Sequence, residues 1–124
     1  MKNKDIAKNF LKLAAAGKVD EAYEKYVDKK FIHHNVWYPH DRQSLMDGMK
    51  DSDKKMPNKK FIIKKILEEK DTVATHSYIK MKMKGKVWEG SVVHIVKIKN
   101  GKIVEMWDIG QEIPKDSPNR KGAF

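Results

Sequence analysis

The side chains best suited to chemistry in this sequence are histidines and aspartates, because the chain contains no cysteine. Disulfide bonds, thiolate zinc sites and cysteine nucleophiles are therefore excluded. His76 and His94 lie in segments of alternating polarity, and Asp108 lies in an otherwise apolar segment. A histidine titrates near neutral pH, and a nearby carboxylate can orient it, which suits general acid–base catalysis. Because carboxylates are rarely buried without a partner, Asp108 is the strongest candidate for a pocket.

Whether these side chains meet depends on two hairpin turns. A three-residue loop over Lys99–Gly101 would place His94 opposite Met106, with Asp108 diagonally across on the same face. A two-residue loop in the same turn would instead place Trp107 opposite His94 and send Asp108 to the other face. We adopt the three-residue loop, so we expect His94 and Asp108 to share a face.

The second turn decides the position of His76. A three-residue loop over Lys84–Lys86 would place His76 opposite His94, so that His76, His94 and Asp108 occupy one face of three adjacent strands. These three residues are our candidate catalytic group. Each histidine also has a structural interpretation. His76 is on the same side of its strand as the alternating lysines, as a residue at the strand surface would be. His94 lies between apolar residues, as a hydrogen-bonded core histidine would.

A metal site is the alternative for two histidines and a carboxylate. The sequence contains no HExxH pattern or close carboxylate cluster, and the adjacent His33 and His34 would point in opposite directions on an extended backbone. We therefore expect neither a metal nor a cofactor.

Candidate substrate-binding residues lie mainly in the segment after the first helices. His34, Asn35 and Trp37 offer an imidazole, an amide and a large aromatic ring on an irregular stretch, where binding residues often occur. Tyr78 would add a second aromatic surface, and Met106 would face His94 in the adopted register. The alternative is a structural loop, in which the asparagine makes a turn and the tryptophan fills the core.

The elements that must position these residues change character at Phe61. Before it, apolar residues recur at helical spacing in two stripes, Ile6–Ala14 and Val19–Val27, and Asp41 is placed to cap a third helix. The segment between them, Phe31–Pro39, is expected to be irregular. After Phe61 the period becomes two, which predicts four strands in an antiparallel meander. Three helices covering a curved sheet form an α+β cone with an internal pocket.

Length and charge limit the remaining classes of protein. The 124 residues suit one domain, 1–124, with a tail over 113–124. The net charge of +10 suggests polyanions, but 25 of the 27 basic residues are Lys and only two are Arg, the residue typical of bidentate phosphate contacts. This argues against nucleic-acid binding. No membrane span or apolar leader is visible, so we expect a cytoplasmic protein.

Three segments resemble one known family. Phe31–Asn35 resembles the Tyr-Ile-Gln-His-Asn segment of SnoaL-like proteins, and Asn100–Gln111 resembles their Gly-Lys-Ile-Val-Glu-His-Trp-Asp-Val-x-Gln signature. The ending Ser117–Phe124 resembles their Asn-x-x-Gly-Met-Phe tail. The resemblance implies a nuclear transport factor 2-like α+β cone with a deep pocket, often as a homodimer. It also implies, as in polyketide cyclases, a cofactor-free intramolecular aldol condensation that uses His and Asp.

The resemblance carries over residue by residue. His34, Asn35, His76 and Asp108 match residues common in small SnoaL-like proteins. Two positions depart from the pattern, because His94 stands where these proteins commonly have Asp and Met106 where they commonly have His.

Three functions remain open. The first is a cofactor-independent cyclase or isomerase acting on a small apolar or aromatic carbonyl compound. In it Asp108 with His76 or His94 removes a proton, and Asn35 or His34 stabilises the enolate. The second is a non-catalytic binding or accessory domain, suggested by the two departures. The third is a polyanion-binding module, suggested only by the charge.

Overall fold

The computed structural model describes all residues from Met1 to Phe124 as three helices and five strands. The elements in chain order are α1 (Asn3–Ala15), α2 (Val19–Tyr26), β1 (Val27–His33), α3 (Arg42–Lys55), β2 (Lys60–Glu69), β3 (Thr72–Met83), β4 (Lys86–Lys99) and β5 (Lys102–Glu112). The strands form one sheet in the order β1-β5-β4-β3-β2. Only the β1–β5 pair is parallel. The α+β class predicted from the sequence is confirmed.

The helices form where the apolar stripes predict them. Helix α1 buries Ile6 and Phe10 of its predicted stripe, and the chain leaves it through Gly17, whose φ of 85° is in the left-handed region. Asp41 caps the N-terminus of helix α3, and its carboxylate accepts hydrogen bonds from the Ser44 backbone N–H at 2.9 Å and hydroxyl at 2.7 Å. These bonds hold the pKa of Asp41 below its ordinary value. The predicted helix cap is confirmed.

The core lies between the helices and one face of the sheet. Phe10, Tyr23 and Phe31 are fully buried and meet edge to face, with ring centroids 5.5 and 6.3 Å apart. Aromatic rings favour such edge-to-face contacts. Strands β3, β4 and β5 contribute five buried apolar side chains: Val73, Val96, Ile98, Ile103 and Met106. The face that carries them is the inner face of the sheet, and the opposite face is the outer face.

The first strand corrects the expectation of an irregular segment from Phe31 onward. Val27–His33 is a strand that pairs in parallel with β5, and it buries Phe31 and His33 against the core. The chain becomes irregular only after His33. The strand was missed because it follows α2 directly, and Val27 also continues the helical stripe.

Both predicted three-residue turns are wrong. Lys84–Gly85 and Asn100–Gly101 are two-residue turns, and all four residues have φ between 51° and 80°. Two successive positive φ values are the mark of the type I′ turn, which matches the twist of the flanking strands.

The two-residue Lys84–Gly85 turn moves His76 to the outer face. In the β3–β4 pair, Thr75 lies opposite His94, and His76 lies opposite Val93. Because a one-residue shift reverses every side chain, the expected face shared by His76, His94 and Asp108 does not form.

The Asn100–Gly101 turn has a different outcome because β5 contains a bulge. Lys97 pairs with Glu105 and Ile98 with Ile103, which leaves Val104 as an extra residue. The bulge restores the parity that the two-residue turn would have reversed. His94 therefore lies directly opposite Asp108, while Met106 pairs with Val96 rather than with His94.

Candidate functional site

A cavity of about 670 Å³ opens between the helices and the inner face of the sheet. This volume is in the range of small-molecule sites. Apolar side chains make up most of the wall, among them Leu11, Met49, Phe61, Ile79 and Trp88. The polar groups in the wall include His94, Asp108 and Asn35, so the cavity combines an apolar lining with a few polar groups that converge.

Asp108 is the centre of this polar group. Its Oδ2 accepts a hydrogen bond from Asn35 Nδ2 at 2.8 Å, and its Oδ1 lies 3.4 Å from His94 Nε2. The Asp108 side chain is 20% exposed. The carboxylate is thus held in the cavity wall by Asn35, with the His94 ring beside it, and its position is set by the bulged register of β5.

Asn35 is fixed by the turn that follows β1. Its Oδ1 accepts a hydrogen bond from the Trp37 backbone N–H at 3.0 Å, which closes an Asx turn. Its own backbone N–H donates to His33 Nδ1 at 3.0 Å. These bonds hold the Asn35 amide in one orientation, in which its Nδ2 points toward Asp108.

The buried His33 was not predicted as part of the site. Its ring bridges the two ends of the loop, because Nδ1 accepts from Asn35 and Nε2 lies 2.6 Å from the Pro39 carbonyl oxygen. This arrangement requires the neutral tautomer with the proton on Nε2. A polar residue at an inward position of β1 was the available signal, but the strand itself was not recognised.

His94 is almost fully enclosed. Burial lowers its pKa, and the neighbouring Asp108 carboxylate only partly opposes this shift. The neutral ring can donate from Nε2 to Asp108, which leaves the buried Nδ1 without a hydrogen-bond partner. Phe61 packs edge-on at 6.5 Å between centroids. His94 is therefore suited to orienting Asp108 rather than to carrying a charge.

His76 and Tyr78, both predicted for the site, lie on the outer face and do not line the cavity. His76 Nε2 is 2.7 Å from the Ser91 hydroxyl, and its ring lies 4.7 Å from that of Phe124. The Tyr78 hydroxyl donates to Glu89, and this bond is the main reason that the pKa of Tyr78 is raised. The two-residue turn before β4 is the physical cause of both misplacements.

The remaining predicted binding residues differ in position. The His34 ring lies at the edge of the cavity, where Nε2 is 2.7 Å from Glu105 and the ring stacks on Trp107 at 4.9 Å. Trp37 also borders the cavity but is 85% exposed, so it does not fill the core. Met106 is fully buried in the core and does not line the cavity.

The structure also bears on a metal site and on a membrane-spanning helix. No three His, Asp or Glu side chains are grouped in a way that could hold a metal ion. None of the helices is both long and apolar enough to cross a lipid bilayer.

Three helices on a curved five-stranded sheet, enclosing a cavity, define a protein of the nuclear transport factor 2-like fold. The sequence profile of the SnoaL-like polyketide cyclase family matches residues 4–115. The chain therefore belongs to the SnoaL-like polyketide cyclase family. Among curated proteins, none is significantly similar to it in sequence.

Several solved structures share the fold. A candidate polyketide cyclase from Bacillus cereus is 23% identical, with a TM-score of 0.76 over 86% of this chain and 72% of that one. IdmH, a candidate polyketide cyclase from Streptomyces antibioticus, is 16% identical, with a TM-score of 0.78 over 90% and 93%. AclR, a candidate hydroxylase from Streptomyces galilaeus, is 16% identical, with a TM-score of 0.77 over 88% of each chain. At these identities the likeness concerns the fold alone.

Proposed function

We propose that the protein binds a small apolar or aromatic carbonyl compound and catalyses a cofactor-independent cyclisation or isomerisation. The observation that carries this proposal is the Asp108 carboxylate, held in the wall of a largely apolar cavity by Asn35 and His94. A carboxylate in such a site can remove a proton from the carbon next to a carbonyl group. His76, predicted as a partner, has no part in this proposal, because it lies on the outer face.

The roles of the three residues follow from their contacts. Asp108 accepts the proton, and His94 keeps Oδ1 in position through Nε2. Asn35 uses one N–H of its amide on Asp108, and its second N–H is available to the developing enolate oxygen. In a cyclisation, the enolate carbon attacks a second carbonyl carbon of the same molecule. A carbon–carbon bond forms, and the proton on Asp108 passes to the new alkoxide.

A non-catalytic binding protein is the second candidate. One observation favours it: Oδ2 of Asp108 already accepts a hydrogen bond from Asn35, so this oxygen is satisfied without a substrate proton. The two candidates differ in whether a bound carbonyl compound exchanges the hydrogen atoms next to its carbonyl group.

Proton exchange in D2O separates the two. The probe is 2-acetylnaphthalene, and proton NMR follows the loss of its methyl signal. We expect the protein to accelerate exchange by ~100-fold or more, as positioned acid–base groups do. Asp108→Asn should remove the acceleration, whereas Asp116→Asn, an exposed carboxylate in the tail, should retain it. Binding of the probe with exchange at the buffer rate would refute catalysis and favour the binding protein.

We also propose that the protein is a homodimer, as the family resemblance implies, that the two copies associate through the outer face, and that the protein is cytoplasmic. The exposed apolar side chains of Ile62 and Ile109 on that face support the first statement. Sedimentation equilibrium at micromolar concentration tests it, and a monomer would contradict it.

A further inference from the structure

One lysine differs from the surface lysines that dominate the sequence. The Lys59 side chain is only 8% exposed and contributes to the wall of the cavity, whereas the next residue, Lys60, is exposed. Lys59 precedes β2 by one residue and is two positions from Phe61, which also lines the cavity. Because residues two apart on an extended chain share a face, Lys59 is turned inward with Phe61 while Lys60 is turned outward.

The partners of this ammonium group are weak. Lys59 Nζ lies 3.7 Å from Asp53 Oδ1 and 3.4 Å from the Met56 carbonyl oxygen. Both distances are beyond the usual range for a hydrogen bond from nitrogen to oxygen. An ammonium group has three N–H donors, and removing it from water is unfavourable unless those donors are satisfied. The protein's own groups therefore satisfy only part of the hydrogen-bonding capacity of the Lys59 ammonium group.

The position of Lys59 relative to Asp108 adds a second constraint. Lys59 lies at the β2 edge of the sheet, and Asp108 lies on β5, with β4 and β3 between them. Three inter-strand spacings correspond to roughly 14 Å across a flat sheet. Asp108 is level with Ile66 of β2, seven positions from Lys59, which adds roughly 20 Å along the strands before curvature is considered. Lys59 and Asp108 therefore lie toward opposite ends of the cavity, and a fused-ring ligand held at Lys59 needs an extended substituent to bring a carbonyl group to Asp108.

We infer that Lys59 recognises an anionic group, a carboxylate or a phosphate, on the ligand of this cavity. This inference rests on the proposed small-molecule function and names the chemical class of the ligand, an acidic aromatic or apolar carbonyl compound. The anionic end lies at Lys59 and the reactive carbonyl lies toward Asp108. A purely structural role for Lys59, as a cation at the C-terminal end of α3, makes a different prediction, because it gives no preference between charged and neutral ligands.

Matched probes of one ring system test the inference. Isothermal titration calorimetry measures the binding of 2-naphthoate, 2-naphthyl phosphate and neutral methyl 2-naphthoate to the full chain. We expect the protein to prefer the anions by ~10-fold, as a charge-assisted hydrogen bond provides. Lys59→Met should reduce this preference to below about twofold. The control Lys60→Met, which removes the same charge from the adjacent exposed position, should leave it unchanged.

A second variant is expected to strengthen anion binding, which a folding defect would not do. Asp53→Asn removes the carboxylate that competes for Lys59, so anion binding should strengthen by roughly two- to fivefold with no change for the ester. An equal anion preference in the original protein and in Lys59→Met would overturn the role of Lys59 while leaving the cavity as a binding site. Failure of all three probes to bind would overturn both this inference and the proposed function. A preference for only one anion would identify the acidic group.

Discussion

The amide of Asn35 should stabilise the protein chiefly through the Asp108 carboxylate. Asn35→Ala removes the 2.8 Å bond to Asp108 and the Asx-turn bond to the Trp37 N–H. A hydrogen bond to a charged group contributes ~1.5–3 kcal/mol. Because the Asp108 side chain is 20% exposed, the lower half of that range applies. The exposed turn bond adds about 0.5 kcal/mol, so the free energy of unfolding should fall by about 2 kcal/mol.

A double-mutant cycle isolates the bond itself. Urea unfolding, followed by far-ultraviolet circular dichroism, gives the free energy of unfolding for Asn35→Ala, Asp108→Ala and the double variant. The Asx turn is absent from both Asn35 backgrounds and cancels in the cycle, as does the interaction with His94 that Asp108→Ala removes. We expect a coupling free energy of about 1.5–2 kcal/mol between the two side chains.

The control is an asparagine that accepts the same kind of backbone hydrogen bond but does not donate to a carboxylate. Asn119 Oδ1 accepts from the Lys121 N–H at 2.9 Å in the exposed tail. Asn119→Ala should change the free energy of unfolding by less than about 0.5 kcal/mol. A coupling below about 0.5 kcal/mol between Asn35 and Asp108, with all variants folded, would refute the view that their bond fixes the site.

Two further predictions concern a buried histidine and a crowded glycine. Burial lowers the pKa of His94, so the unfolded chain binds a proton first as pH falls, and stability should decrease below pH ~6.5. In urea unfolding at pH 7 and pH 5, His94→Gln should lose less stability than the original protein, and equal losses would contradict this. A Cβ on Gly48 would lie 2.4 Å from the Tyr38 ring, which borders the cavity. Gly48→Ala gains ~1 kcal/mol of helix propensity, which offsets the cost of the crowding. The substitution should still weaken 2-naphthoate binding by ~3-fold or more, because the displaced Tyr38 ring borders the cavity. Unchanged affinity would show that the Tyr38 ring moves without affecting the cavity.

The fold could be predicted because each element has a local cause. The apolar stripes of α1 and α2, the cap at Asp41 and the alternation after Phe61 all follow from patterns within a few residues. Strand β1 could not be predicted in the same way. It owes its parallel pairing to β5, about seventy positions later in the chain, and nothing in its own composition indicates that partner.

The site was harder to predict because it depends on register. Asn-Gly is the usual signal for a type I′ turn, but the Lys84–Gly85 turn requires a lysine at φ 51°, which its residue type does not indicate. His76 was therefore placed on the wrong face. Asp108 was placed on the correct face for the wrong reason, because the error in the turn was offset by a bulge at Val104, a residue with no feature that marks a bulge.

The charge of the chain is informative about function only where solvent does not reach it. The total of +10 follows from lysines that, like Lys60, mostly lie in water, where an ionic partner adds little. Lys59 and Asp108 are different, because both lie in the wall of one cavity and their charges are opposite. A ligand with one acidic end meets attraction at Lys59 and repulsion at Asp108, which favours the orientation with the acidic end at Lys59. That orientation brings its uncharged carbonyl end to the carboxylate that we propose as the base.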